Sequence, residues 1–107
     1  MKAGSDLQIN LKMFKYGDRD IRDIVNRKDW QDLRQSFIGT WANHSDDNVK
    51  KLRKFLGPIQ TTELDKLIIV YNYLTGTAFR IGRIKSANID RLREEIKNEL
   101  LRRREQE

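Results

Sequence analysis

The chain has 107 residues, with 22 Lys and Arg against 16 Asp and Glu and a net charge of +6. That length suits one domain and leaves no room for a second core of ordinary size. The absence of cysteine excludes disulfides and thiolate metal sites, and a lone histidine, His44, excludes any two-histidine zinc arrangement.

Leu, Ile, Val and Phe supply 29 residues, enough apolar mass for so charged a chain to fold. No apolar run approaches the roughly 18 residues needed to span a bilayer, and residues 1–10 lack the apolar stretch of a secretory signal. The expectation is a cytoplasmic protein with no membrane partner. The positive surplus draws polyanions, so nucleic acid and an acidic protein surface are the two partner classes it suggests.

From the N-terminus, Leu7, Ile9, Leu11 and Met13 alternate with polar residues, which argues a half-buried strand. Leu7, Leu11 and Phe14 would equally line a helix. Gly17 punctuates the chain, and Asp18 is placed to cap an element carrying Ile21, Ile24 and Val25 at helical spacing. Asp29 is placed to cap the next. Trp30, Leu33, Phe37, Ile38 and Trp41 form a stripe that predicts one helix, weakened in its last turn by Gly39. Residues 42–46 read as a polar connector, with Ser45 or Asp46 capping a helix that carries Val49, Leu52, Phe55 and Leu56. Gly57 and Pro58 stop that helix.

Thr62 and Asp65 resemble a capping box for a helix near 63–74, which is apolar on more than one face and therefore the central one. Residues 75–77 break it. Phe79 and Ile81 alternate with Arg80, so residues 77–85 read as a short strand or as an irregular turn into the last helix. Ser86 or Asn88 caps that helix, whose stripe is Ile89, Leu92, Ile96 and Leu100 and whose basic end should fray.

Little in the chain speaks for catalysis. His44 with Asp46 and Asp47 offers one nitrogen ligand at a spacing that matches no standard metal site, so no metal or other cofactor is expected. Asp18, Asp20, Asp23, Asp29 and Asp32 are interleaved with Arg19, Arg22, Arg27 and Lys28 and read as a salt-bridged surface. No serine or threonine has a base at nucleophile spacing, and no glycine loop is built to cradle phosphate. Trp30, Phe37 and Trp41 could stack bases. An aromatic stripe at helical spacing is more often core, which assigns Trp30 and Phe37 to the interior and leaves Trp41 open.

Three basic clusters carry the functional reading. Lys50, Lys51, Arg53 and Lys54 flank the apolar positions of the third helix. Arg80, Arg83 and Lys85 surround Gly82 with no acid nearby, and Arg102, Arg103 and Arg104 form what reads as a solubilising tail. The second cluster is the most suggestive, because glycine lets a backbone approach phosphate and guanidinium forks match phosphate oxygens. A helix-turn-helix built on residues 50–56 and 63–74 fails, since its second helix has no polar face for base edges. A winged-helix arrangement would instead pair the N-terminal strand with residues 77–85 and put Arg80 and Arg83 on a basic ribbon.

The expected fold is mainly α, a single domain of four or five helices over residues 1–107. Residues 1–17 form an N-terminal arm or strand, 18–85 the core helices, and 86–107 the terminal amphipathic helix with its frayed basic end. The expected function is non-catalytic nucleic-acid binding through phosphate contacts of Arg80, Arg83, Lys85, Lys50, Lys51, Arg53 and Lys54. The alternative is an assembly or adaptor protein, a homo-oligomer or partner-binding module. In that reading residues 89–96 pack on their own domain and Leu100 and Leu101 are offered to another chain.

Overall fold

The computed structural model describes residues 9–10, 15–16, 19–20, 22–76, 79 and 81–105. It is a small, compact, mainly helical domain. Three two-residue strands come first: β1 (Ile9–Asn10), β2 (Lys15–Tyr16) and β3 (Arg19–Asp20). They pair antiparallel in chain order, Ile9 opposite Tyr16 and Lys15 opposite Asp20. The N-terminal segment thus takes its strand partners from itself, and the described residues Ile81–Ile84 form turns. Thr77, Ala78 and Arg80 of the expected ribbon lie outside the described residues, as does the Asp18 cap.

Helices α1 (Arg22–Val25) and α2 (Lys28–Gln35) follow, their surface laced by Arg27–Asp29 at 2.8 Å and Lys28–Asp32 at 2.8 Å. The Asp29 carboxylate accepts the Trp30 amide at 2.8 Å. The helix predicted to run from Trp30 through Trp41 stops at Gln35. Three contacts hold the break open: Asn48 Oδ1 accepts the Ile38 amide at 2.9 Å, Asn48 Nδ2 donates to the Ile38 carbonyl at 3.2 Å, and Lys51 Nζ donates to the Ser36 carbonyl. Gly39 turns the chain at φ +43°, a region costly for other residues, and a Cβ there would sit 3.0 Å from the His44 ring.

Helix α3 (Trp41–Leu56) therefore starts earlier than expected. Residues 42–46 are helical, not a connector, and the polar sequence there registers only as a kink at His44 (φ −125°). Gly57 ends α3 at φ +69°, and Pro58 leads into a 3₁₀ turn, Ile59–Thr61. Thr62 forms no capping box. Its hydroxyl turns back to the Leu56 and Pro58 carbonyls, at 2.8 and 2.6 Å, and is buried there.

Helix α4 (Leu64–Leu74) is the most buried element, with Leu67, Ile68, Ile69, Val70 and Leu74 all enclosed. Helix α5 (Ala87–Glu105) is capped by Ser86, whose Oγ accepts the Ile89 amide at 3.3 Å. Asn88 bonds Asp46 at 2.9 Å, and seven residues on along both helices Arg53 meets Glu95 at 3.0 Å, so α3 and α5 run parallel. Contacts of Lys66 with the Phe55 carbonyl and of Tyr73 with Trp41 show α4 antiparallel to α3. The core lies among these three helices: Val49, Leu52 and Leu56 of α3, the α4 residues, and Ile89, Leu92, Ile96 and Leu100 of α5. Ile24 and Trp30 close it from α1 and α2.

Candidate functional site

The four cations of α3 do not share one face. Helical residues advance by about 100° each, so Asp46, Lys50 and Arg53 share a face while Lys51 and Lys54 swing away from it. Arg53 is held fork to fork by Glu95, at 3.0 and 3.1 Å. Lys51 is turned onto the Ser36 carbonyl. Lys54 is exposed and lines a shallow groove of about 380 Å³ together with Asp29 and Asp32, which are paired with Arg27 and Lys28. Lys50 is exposed and forms no ion pair among the described residues.

The loop before α5 behaves differently. Gly82 takes φ +79°, and a Cβ there would meet nothing within 4 Å, so this stretch of backbone is open to solvent. Arg83 and Lys85 are exposed and unpaired among the described residues, while Ile84 between them packs on the core. Arg80 lies outside the described residues. Asp46 Oδ1 ties the end of this loop to α3, accepting from Ser86 Oγ at 3.4 Å and from Asn88 Nδ2 at 2.9 Å. Lys50 stands about one helical turn beyond Asp46 on α3, and Asp46 ties that helix to the residues that follow Arg83 and Lys85.

Next to this loop is a cluster of aromatic rings centred on Tyr73. Trp30, Phe37, Trp41 and Phe79 lie 5.7, 5.7, 5.9 and 5.8 Å from it between ring centroids. Phe37 meets Trp41 at 4.9 Å, and Trp41 meets Phe79 at 5.2 Å, both edge to face. Such pairs add about 0.5–1.5 kcal/mol each beyond burial. Burial pushes the Tyr73 hydroxyl up, against a hydrogen bond with Trp41 and the charge of nearby Arg34. Trp30 is buried as expected, but Phe37 is only half-buried, like Trp41 and Phe79.

Two stretches without a single Asp or Glu, residues 33–45 and 66–89, supply Phe37 and Trp41 on one side and Tyr73, Phe79, Arg83 and Lys85 on the other. Each stretch is visible in the sequence; that they meet is visible only in the fold. Ile38 and Ile81, 39% and 53% exposed, are the large aliphatic residues left in solvent among those described; Ile38 follows Phe37 in sequence and Ile81 lies two residues after Phe79.

The far end of α5 is structural. Leu100, expected to face a partner, is fully buried in its own core, and Leu101 packs half-buried against it. The expected fraying at the basic end is countered by Glu99, only 6% exposed, which accepts from both Arg102 and Arg103. Hydrogen bonding from Arg102, reinforced by Arg103, holds the Glu99 carboxyl down to about 2 against the opposing effect of burial. Arg103 also donates to the Ile59 and Gln60 carbonyls, at 3.1 and 3.2 Å. These arginines are therefore not a frayed tail, and order continues through Glu105. A cleft of about 550 Å³ beside them is lined by charges already matched within the chain, Arg53 with Glu95 and Arg102 with Glu99.

His44 packs under Gly39, Asp46 is occupied by Ser86 and Asn88, and no group of three metal-ligating side chains occurs among the described residues. No described helix is long and apolar enough to cross a membrane. Comparison with protein-family models, with curated proteins and with solved structures returned no match.

Proposed function

We propose that this domain binds nucleic acid without transforming it, through phosphate contacts made by Arg83, Lys85 and Lys50. The observation that carries the reading is the sorting of the basic residues. Arg53, Arg102 and Arg103 are matched by carboxylates of the chain, whereas Arg83, Lys85 and Lys50 stand exposed without an ion-pair partner among the described residues. A protein cation that neutralises a phosphate releases counterions condensed on the nucleic acid, with a gain in entropy, and cations without a carboxylate partner are available for that. Arg80 belongs to the same loop by sequence. The reading needs no winged-helix ribbon, because a turn displays the cations equally well, and a cytoplasmic setting suits it.

The test is a salt titration with a labelled oligonucleotide. Removing one phosphate-binding cation should reduce the slope of log affinity against log salt by about 0.9 on duplex or about 0.7 on single strand. Arg83→Ala and Lys85→Ala should each do so, weakening binding to all sequences alike, because phosphate contacts carry no base information. Absence of binding to DNA or RNA at low salt would remove the proposal and favour an acidic protein surface as the partner.

A further inference from the structure

We propose that the nucleic acid taken here is single-stranded, its bases docking on the apolar rim formed by Trp41, Phe79, Ile38 and Ile81 beside the phosphate-binding loop. This rests on the phosphate-contact reading above and adds to it the class of strand.

A single exposed isoleucine on a protein surface calls for no explanation. Here the two exposed ones adjoin the same rings: Ile38 follows Phe37 directly, and Ile81 lies two residues after Phe79. Trp41 and Phe79, both half-buried, meet at 5.2 Å between ring centroids, and with the exposed isoleucines close to Phe37 and Phe79 in sequence they supply the apolar edge of this proposal. The two segments that build this edge contain no carboxylate, and cations flank it: Arg34, whose charge acts on Tyr73, on one side and Arg83 on the other.

Such an edge asks for a ligand that is anionic and apolar at closely spaced points. A duplex is anionic, but its base faces are stacked inside, so the rim would stay wet against it. An unpaired strand offers phosphates to the cations and π-faces to the rim together, and this combination of groove charge and apolar stacking surface is what single strands recognise. A protein partner anchors best by burying a large side chain in a pocket. The clefts of about 550 and 380 Å³ are lined by other residues, Arg53, Glu95 and Glu99 in one case and Asp29, Lys51 and Phe55 in the other.

The experiment compares three labelled ligands of equal length on the whole chain: oligothymidylate, an abasic strand with the same phosphate spacing, and a duplex. Oligothymidylate should bind about tenfold or more tighter than the abasic strand, the scale expected for base stacking. Ile81→Ser, a change at an exposed position, should bring thymidylate affinity down severalfold while leaving abasic binding and the salt slope alone. Tryptophan emission should be quenched by oligothymidylate, and this quenching should disappear in Trp41→Phe. Equal binding of thymidylate and abasic strands would overturn base docking and leave the phosphate reading standing. A duplex bound more tightly than the single strand would likewise overturn it. Binding to none of the three would overturn both, and an acidic peptide that binds and is released by Ile81→Ser would assign the rim to a protein partner.

Discussion

Arg53 of α3 and Glu95 of α5 meet fork to fork, with Nη1–Oε1 at 3.0 Å and Nη2–Oε2 at 3.1 Å. The pair holds the Glu95 carboxyl below its ordinary value and removes Arg53 from the cations available to a ligand. Both side chains are more than a third exposed, so water screens the pair and its contribution is about 0.2–1 kcal/mol. Arg53→Ala should cost that much in a denaturant titration and leave the salt dependence of oligonucleotide binding unchanged. A slope reduced as far as in Arg83→Ala would return Arg53 to the phosphate contacts.

Leu67 is fully enclosed on α4, the helix that every other helix of the core touches or faces. Leu67→Ala leaves a cavity that packed neighbours only partly refill, at a cost of about 2–5 kcal/mol. For a domain of this size, a loss of that order removes much of the total stability. A melting temperature within about a degree of the wild type would show that the helix is not central, given the several degrees expected per kcal/mol.

Glu99 should make the domain acid-sensitive. Its carboxyl titrates near 2 in the fold against 4.5 when unperturbed, so the ionised form is favoured in the native state. The folded value is the lower one. The stability it contributes is therefore complete above about pH 5 and is lost progressively as pH falls towards 2. Glu99→Gln should flatten this acid limb, and at pH 7 it should cost about 1–3 kcal/mol through weakened hydrogen bonds to Arg102 and Arg103. Identical stability profiles for Glu99→Gln and wild type between pH 5 and 2 would contradict the assignment.

If residues 89–96 packed on their own domain and Leu100 and Leu101 were offered to another chain, a chain ended at Asn98 would stay folded and lose association. The structure reverses that expectation, because the cut removes the fully buried Leu100, the Glu99 network and the Arg103 contacts to the 3₁₀ turn. Loss of the Leu100 side chain alone is worth about 2–5 kcal/mol. The shortened chain should show reduced helicity by circular dichroism and a lower melting temperature. Unchanged thermal unfolding would mean that residues 99–105 hold nothing together.

Asn48 is buried and makes both of its bonds to one residue, Ile38, in the irregular stretch between α2 and α3. Asn48→Leu keeps the volume and strands both backbone groups of Ile38, a cost of about 1–3 kcal/mol. Asn48→Asp keeps the acceptor for the Ile38 amide but sets a carboxylate against the Ile38 carbonyl, and it should also destabilise. Hydrogen exchange of the Ile38 amide should quicken in the leucine variant. An unchanged rate would place its protection elsewhere.

Much of the helical layout was legible because it is set locally. Glycine and proline at 57 and 58 stop a helix wherever they stand, Ser86 caps the one after it, and the all-round apolar run of 64–74 has no stable place except inside. The stripe from Trp30 to Trp41 misled for a reason that is also physical. Its side chains do gather on one side, but across a break, since Asn48 and Lys51 from the following helix satisfy the backbone groups that a continuous helix would have satisfied itself. Periodicity records which side chains are buried together and is silent on whether the backbone between them is helical.

The basic clusters looked alike in one dimension, and only the fold told them apart. Arg53 and Arg83 are both arginines among other cations, yet Arg53 has a carboxylate 42 residues away in sequence at hydrogen-bond distance and Arg83 has none among the described residues. Composition determined that the chain carries surplus positive charge and that cysteine chemistry is closed to it, and local pattern determined that it folds mainly as helices. That Arg53 is neutralised was decided by the parallel packing of α3 and α5, and that two acid-free stretches meet around Tyr73 by the antiparallel packing of α4 on α3. Charges cancel according to distance in space, and a sequence records only distance along the chain.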